Sequence, residues 1–240
     1  WRNHQYILAM QDAWTCSVCE GKPAFNYEIY ANDYGAHNPD FKAQEMNDFY
    51  FTSLSEGIRG LIMWGVKAER LGDESQGIGI VDLDGKMTPR ALAVKDIIKF
   101  IKRNRDLLAS YTPEPGLVAI VYDMKSDMIS SIQDQSIEPK AAREIYRYKN
   151  NLKGWRRIFW DVNIPSDLLS SEKLSNLSKY RVVVLPALLH VSEEVKTILC
   201  DYVKNGGKLI LDSGCGSRTA FGWAKPGRID ADLSRILGGL

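Results

Sequence analysis

Glu28 is the carboxylate in this chain whose setting points to chemistry. It stands in the stretch Lys22-Pro23-Ala24-Phe25-Asn26-Tyr27-Glu28-Ile29-Tyr30. The stretch follows a helical pattern and reads as a short strand. Side chains alternate across a strand, so Asn26, Glu28 and Tyr30 are expected on one face and Phe25, Tyr27 and Ile29 on the other. Apolar residues outward and a carboxylate inward suit a barrel wrapped in helices. Glu28 falls near the C-terminal end of the strand, the end at which (β/α)8 barrels carry reactive groups. The plainer alternative is a solvated carboxylate at a sheet edge.

Other reactive residue types carry weaker signals. Cys16 and Cys19 form a lone C-x-x-C inside a helical pattern, far from Cys200 and Cys215. A zinc site wants a second such pair, and thioredoxin-type chemistry wants a strand just before it, so packed thiols and no metal are expected. Such thiols lean towards a reducing, cytoplasmic compartment. Ser213-Gly214-Cys215-Gly216-Ser217 resembles a nucleophile elbow superficially, but no helical run starts directly after it and no clear His partner is offered. A reactive thiol needs a basic partner. His190 follows an apolar strand and reads as structural. Asp123-Met124-Lys125-Ser126 lacks the glycines of a dinucleotide fingerprint.

Composition narrows the classes. The chain has 240 residues, 45% hydrophobic and 25% charged, with net charge +1. No basic stripe marks a nucleic-acid partner. No apolar run reaches the roughly 18 residues that a membrane-spanning helix needs. The chain opens on Trp1-Arg2-Asn3-His4 and runs directly into a helical pattern, so the start of the protein is expected upstream and this stretch is expected to be its C-terminal part.

In order, the pattern predicts a helix over 4–19, the strand 23–30, a loop over 31–40 and a helix over 41–57. The apolar run 60–66 is expected to be a parallel strand buried on both sides, with Trp64 at its end. A loop from 67 to 85 holds Glu74 and closes on an Asp-x-Asp-Gly turn. Thr88-Pro89 then opens a helix that continues towards Leu108. This is the closing part of an α/β repeat, and two strands alone should not be stable without further strands or a partner. The linker Thr112–Gly116 divides residues 1–111 from a second unit, 117–240. Its expected strands are 117–122, 159–162, 180–185 and 208–212. Its expected helices run over 138–157 and from the Ser192 cap to Asn205-Gly206-Gly207, and 125–137 reads as a loop. Such alternation implies a doubly wound parallel sheet, flavodoxin-like in outline.

The order of these parts resembles glycoside hydrolase family 42, the β-galactosidases. The matching residues are Gly21-Lys22-Pro23 with Glu28, then Gly60-Leu61-Ile62-Met63-Trp64, then Val183-Val184-Leu185-Pro186-Ala187-Leu188. The resemblance covers essentially the whole chain. It implies the last strands and helices of a (β/α)8 barrel followed by a flavodoxin-like, glutamine-amidotransferase-like trimerisation domain. It further implies retaining hydrolysis of terminal β-galactosides by two carboxylates about 5 Å apart. Glu28 matches the nucleophile, while the acid/base belongs on an earlier strand, before Trp1. Trp64 matches an aromatic at the sugar site, and Glu74 would accept hydrogen bonds from sugar hydroxyls. Asn26, Tyr30, Asn32 and His37 are further pocket candidates. The implied partners are a carbohydrate and two more copies of the chain; no cofactor is needed. The chain departs from the family at Tyr34-Gly35-Ala36-His37, where a Trp is usual, and at Gly77, where a His is usual. Both positions touch the sugar, so another glycoside is the alternative substrate, and a non-catalytic binding or assembly protein is the third reading.

Overall fold

The structure is a computed structural model that describes residues 2–19, 21–30, 43–67, 69–72, 79–137, 147–227 and 230–236. It divides into two compact units, Trp1–Pro113 and Glu114–Leu240.

The first unit runs α1 (Arg2–Val18), β1 (Ala24–Tyr30), α2 (Ala43–Ser55), β2 (Ile58–Trp64), α3 (Pro89–Arg103) and α4 (Arg105–Ser110). β1 and β2 lie parallel, and α2 lies between them in the chain, as parallel neighbours require a crossover. The core is Met46 and Tyr50 of α2 against Ala93 and Ile97 of α3, with Leu61 and Met63 of β2 packed beneath. α3 starts where its cap dictates: the Ala91 N–H donates to Thr88 Oγ1 at 3.1 Å, and Pro89 occupies the first turn. The Asp-x-Asp-Gly turn is present, with the Gly85 N–H donating to the Asp82 carbonyl at 2.8 Å. Residues 79–85 form no longer strand; Val81 makes only isolated bridges to Lys67 and Met87. The run 60–66 is not buried on both sides. Leu61 and Met63 face the helices, whereas Ile62, Trp64 and Val66 are exposed. Among the described residues this sheet has two strands, and Ile62 and Trp64 stand exposed on its second face.

The second unit runs β3 (Val118–Tyr122), α5 (Met124–Ile137), α6 (Arg147–Asp161), β4 (Ser166–Ser170), β5 (Val182–Leu185), α7 (Glu193–Lys204), β6 (Lys208–Leu211) and α8 (Ala231–Ile236). The strands form one parallel sheet in the order β4-β3-β5-β6. β3 is buried along its whole length, as a central parallel strand should be. α7 is capped by Ser192, whose Oγ accepts from the Val195 N–H at 3.2 Å. It stops at Gly206, which takes φ +90° and donates to the Val203 carbonyl, a conformation open to glycine and costly for other residues.

Two expectations for this unit are overturned. Residues 125–137 form a helix, not a loop. The inward face of α5 is Ser126, Ile129, Ser130 and Asp134, so its buried side carries no apolar stripe to announce it. Phe159-Trp160-Asp161-Val162 is not a strand either: α6 continues through Asp161 and closes at Asn163, which takes φ 55°. The strand that follows is Ser166-Asp167-Leu168-Leu169-Ser170. Among the described residues it lies at the sheet edge with β3 as its single neighbour, and it lacks the continuous apolar run of a central strand.

Candidate active site

β1 departs from strict alternation, and that departure sets the site. Asn26 is in register with Leu61, and Ile29 with Met63, so Tyr27 and Glu28 together oppose Ile62. One extra residue in β1 makes a bulge. Ile29 is almost fully buried, while Phe25, Tyr27 and Glu28 are exposed. The face that looks away from the helices therefore carries Phe25, Tyr27 and Glu28 from β1 beside Ile62 and Trp64 from β2. Phe25 lies over Gly60, where a Cβ would come within 2.3 Å of its ring, and its ring centroid is 5.9 Å from that of Tyr27. One carboxylate stands in a strip of four apolar or aromatic side chains.

The expected grouping of Asn26 with Glu28 is not met. Asn26 reaches the helix side, where its Nδ2 donates to Asp12 Oδ1 at 3.1 Å. Asp12, on α1, is fully buried and also accepts from Ser53 Oγ of α2 at 2.5 Å. Burial pushes the Asp12 carboxyl above the usual range, and its bonds to Ser53 and Asn26 pull the other way. The other end of the same amide faces the strand, where Asn26 Oδ1 accepts from the Glu28 N–H at 3.3 Å. The amide thus spans the bulge and links α1 and α2 to the backbone that carries Glu28. The physical reason for the altered grouping is the inserted residue, which shifts every side chain beyond it.

Trp64 ends β2, half exposed, with its backbone in register with Tyr30. The side chain of Tyr30 lies outside the described residues, as do Asn32, His37 and Glu74 entirely. Reading the sequence alone overlooked Asp12 and Ser53. A carboxylate one turn after Leu8 on the buried side of α1 was the available signal, since an unpartnered carboxylate there would be costly.

The second unit holds a polar cluster at the C-terminal edge of its sheet, beside the neighbouring ends of β3 and β5. Asp123 accepts from the Ser126 N–H at 2.6 Å, from Ser126 Oγ at 2.7 Å and from Ser171 Oγ at 2.6 Å. The His190 N–H donates to Ser126 Oγ at 3.0 Å. His190 is 8% exposed, and its Nδ1, 3.9 Å from Asp123 Oδ2, has no hydrogen-bond partner among the described residues. The carboxylate bonds go to serines and to the backbone, so the cluster is a structural knot. Burial holds the His190 pKa below 6.5, with Lys125 and Lys225 acting in the same direction and Asp123 against them. A depressed folded pKa means that protonation favours the unfolded chain. Stability from this group is complete above about pH 6.5 and declines as pH falls through the lower folded value. Urea midpoints compared at pH 7.5 and pH 5 should show that loss, and His190→Asn should flatten it; an unchanged slope would remove His190 as its source.

Cys215 is buried, its Sγ donates to the Leu185 carbonyl at 3.3 Å, and burial pushes its pKa up to about 12. Cys16 is likewise pushed up to about 11, by burial and then by Asp12. Neither thiol has the depressed pKa of a nucleophile.

Comparison with known proteins decides the family. Residues 117–239 match the family model described as the β-galactosidase trimerisation domain. The chain belongs to that family, the trimerisation domain of the family 42 glycoside hydrolases. Relatives of this family extend the likeness to the first unit. The chain is 23% identical over 188 residues to β-galactosidase GanA of Bacillus subtilis, covering 77% of this chain and 26% of GanA. A β-galactosidase structure from Bacillus circulans sp. alkalophilus superposes with a TM-score of 0.81 at 17% identity, over 96% of this chain and 33% of that one. A β-1,2-glucosyltransferase of Ignavibacterium album is 23% identical over 195 residues, covering 73% of this chain and 27% of that protein. The chain therefore spans about a quarter to a third of the proteins it resembles, and it shares their α/β fold with parallel sheets.

Proposed function

We propose that this chain is the C-terminal part of a retaining glycoside hydrolase that cleaves terminal β-galactosides, with Glu28 as the nucleophile. The observation that carries the reading is the bulge in β1, which seats Glu28 among Phe25, Tyr27, Ile62 and Trp64 on the open face of a parallel strand pair. In this reading β1 and β2 are the last strands of a (β/α)8 barrel, and their open face is its lumen. The second unit is flavodoxin-like and builds a homotrimer.

The chemistry follows from the side chains. The Glu28 carboxylate attacks the anomeric carbon as the glycosidic bond breaks. A second carboxylic acid, supplied by a strand upstream of Trp1, protonates the departing oxygen. The same group then deprotonates water, which hydrolyses the glycosyl ester of Glu28 and returns the carboxylate. Trp64 offers an apolar ring to the C–H face of a pyranose, and Tyr30, His37 and Glu74 supply polar contacts. Asn26 acts from behind, through the Glu28 backbone.

The test uses an aryl β-galactoside with the 240-residue chain and with the protein extended upstream. Only the extended protein should turn over, and proton NMR should show the β-anomer of galactose forming first. Robust turnover by the 240-residue chain, or initial release of the α-anomer, would refute the assignment. A second reading keeps the double displacement and changes the sugar. It is favoured by the similarity to the glucosyltransferase, as great in identity as that to GanA. Faster turnover of an aryl β-glucoside than of the galactoside selects it.

A further inference from the structure

α5 is arranged the wrong way round for a helix that meets water. Its buried side carries Ser126, Ser130 and Asp134 together with Ile129. Its exposed side carries Met124, Met128 and Ile132, spaced four residues apart and so stacked in one stripe. Against the same helix, at Ile129, packs the loop that follows β6. Phe221 is 89% exposed and Trp223 73% exposed. The loop abuts the helix, for a Cβ placed on Gly222 would sit 3.7 Å from Ile129 Cγ1. It is also held in shape. The Thr219 N–H donates to the Trp223 carbonyl at 2.9 Å, the Trp223 N–H to Thr219 Oγ1 at 3.1 Å, and the Gly222 N–H to the Thr219 carbonyl at 3.0 Å. Arg218 bridges both His190 and Ala224.

We infer that this surface, Met124, Met128 and Ile132 with Phe221 and Trp223, is where a second copy of the chain docks. The inference rests on the homotrimer reading above and names the part of the domain that makes it. The patch lies wholly inside residues 117–239, the stretch that matches the trimerisation domain. Its composition is that of an interface centre, where Met, Phe and Trp are enriched and acidic residues are depleted. The hydrogen-bonded loop presents its two rings in a fixed position, so little freedom remains to be lost on association. A threefold ring is closed by head-to-tail contacts, so the patch meets a different part of the neighbour's surface.

Sedimentation velocity on the protein extended upstream of Trp1 tests this with Met128→Glu and Phe221→Ser, one in each element. Ile158→Glu is the control, an apolar residue on α6 about as exposed as Met128. Circular dichroism verifies that each variant is folded. The wild type and the control should sediment as trimers, while each patch variant weakens association about 30-fold or more, the scale of losing a central contact. If the wild type is trimeric and both patch variants stay trimeric, the patch is not the interface and the trimer stands. That result with a lowered melting temperature would mean the patch is covered within one chain, which also overturns the inference. Dissociation of the control alongside the variants would overturn it too, because the effect would not be specific to the patch. A wild type that is monomeric at every concentration would remove the trimer itself, and this surface with it.

Discussion

Replacing Glu28 with Gln in the protein extended upstream of Trp1 is expected to lower kcat by roughly 10⁴-fold or more, the scale on which enzymes lose a covalent nucleophile. The amide keeps the size and polarity of the side chain but cannot form the glycosyl ester. KM should change little, because Phe25, Tyr27, Ile62 and Trp64 still line the strip. Asn26→Ala should cost less, about 10- to 100-fold, since it frees the backbone of the bulge and displaces the carboxylate without removing it. Steady-state kinetics on an aryl β-galactoside separates the two variants. Equal activity of Glu28→Gln and wild type would end the assignment of Glu28. A larger loss from Asn26→Ala than from Glu28→Gln would show that Glu28 is not the nucleophile.

Asp123→Ala is expected to produce the largest stability loss in the second unit, about 3 kcal/mol. The carboxylate caps α5 and gathers three donors in a buried place: the Ser126 N–H, Ser126 Oγ and Ser171 Oγ. Removing it leaves the Ser171 hydroxyl and the first turn of α5 without that acceptor. It also uncouples the ends of β3 and β4, which the Asp123–Ser171 bond joins. Asp123→Asn keeps one acceptor oxygen and should cost about half as much. Urea denaturation at pH 7.5 measures both, and a loss below about 1 kcal/mol for Asp123→Ala would show that serine and water re-pair without it.

Elements with a strong local signature were legible in the sequence. Thr88-Pro89 and Ser192 announced helix starts, Asn205-Gly206-Gly207 a stop, and the apolar runs at Val118–Tyr122 and Val182–Leu185 the central strands. Glu28 stood out for a similar reason, as a carboxylate in a strand whose other residues, Asn26 apart, are apolar or aromatic. What remained hidden depended on partners distant in the chain. α5 was missed because its buried face is serine, which pairs with Asp123 and the backbone of His190 instead of seeking an apolar layer. β4 was missed because an edge strand needs only one apolar side, and Phe159-Trp160 offered a stronger but misleading run. The bulge could not be read from β1 at all. It is a relation between β1 and β2, visible only once Asn26 is matched with Leu61 and Ile29 with Met63. The pairing of Asn26 with Asp12 followed the same logic, joining residues fourteen positions apart.

A regular strand hands neighbouring side chains to opposite sides, so no ligand can touch two successive ones. The inserted residue in β1 lifts that restriction and places a phenol and a carboxylate, borne on adjacent α-carbons about 3.8 Å apart, on the same exposed face. It also leaves a simple route for tuning. Deleting Tyr27 would restore even spacing between Asn26 and Ile29, keep both against the helices, leave the separate shift between Ala24 and Phe25 in place and keep Glu28 facing outward beside Phe25. A single codon therefore separates a hydroxyl-bearing rim from a bare acid at this point of the sheet.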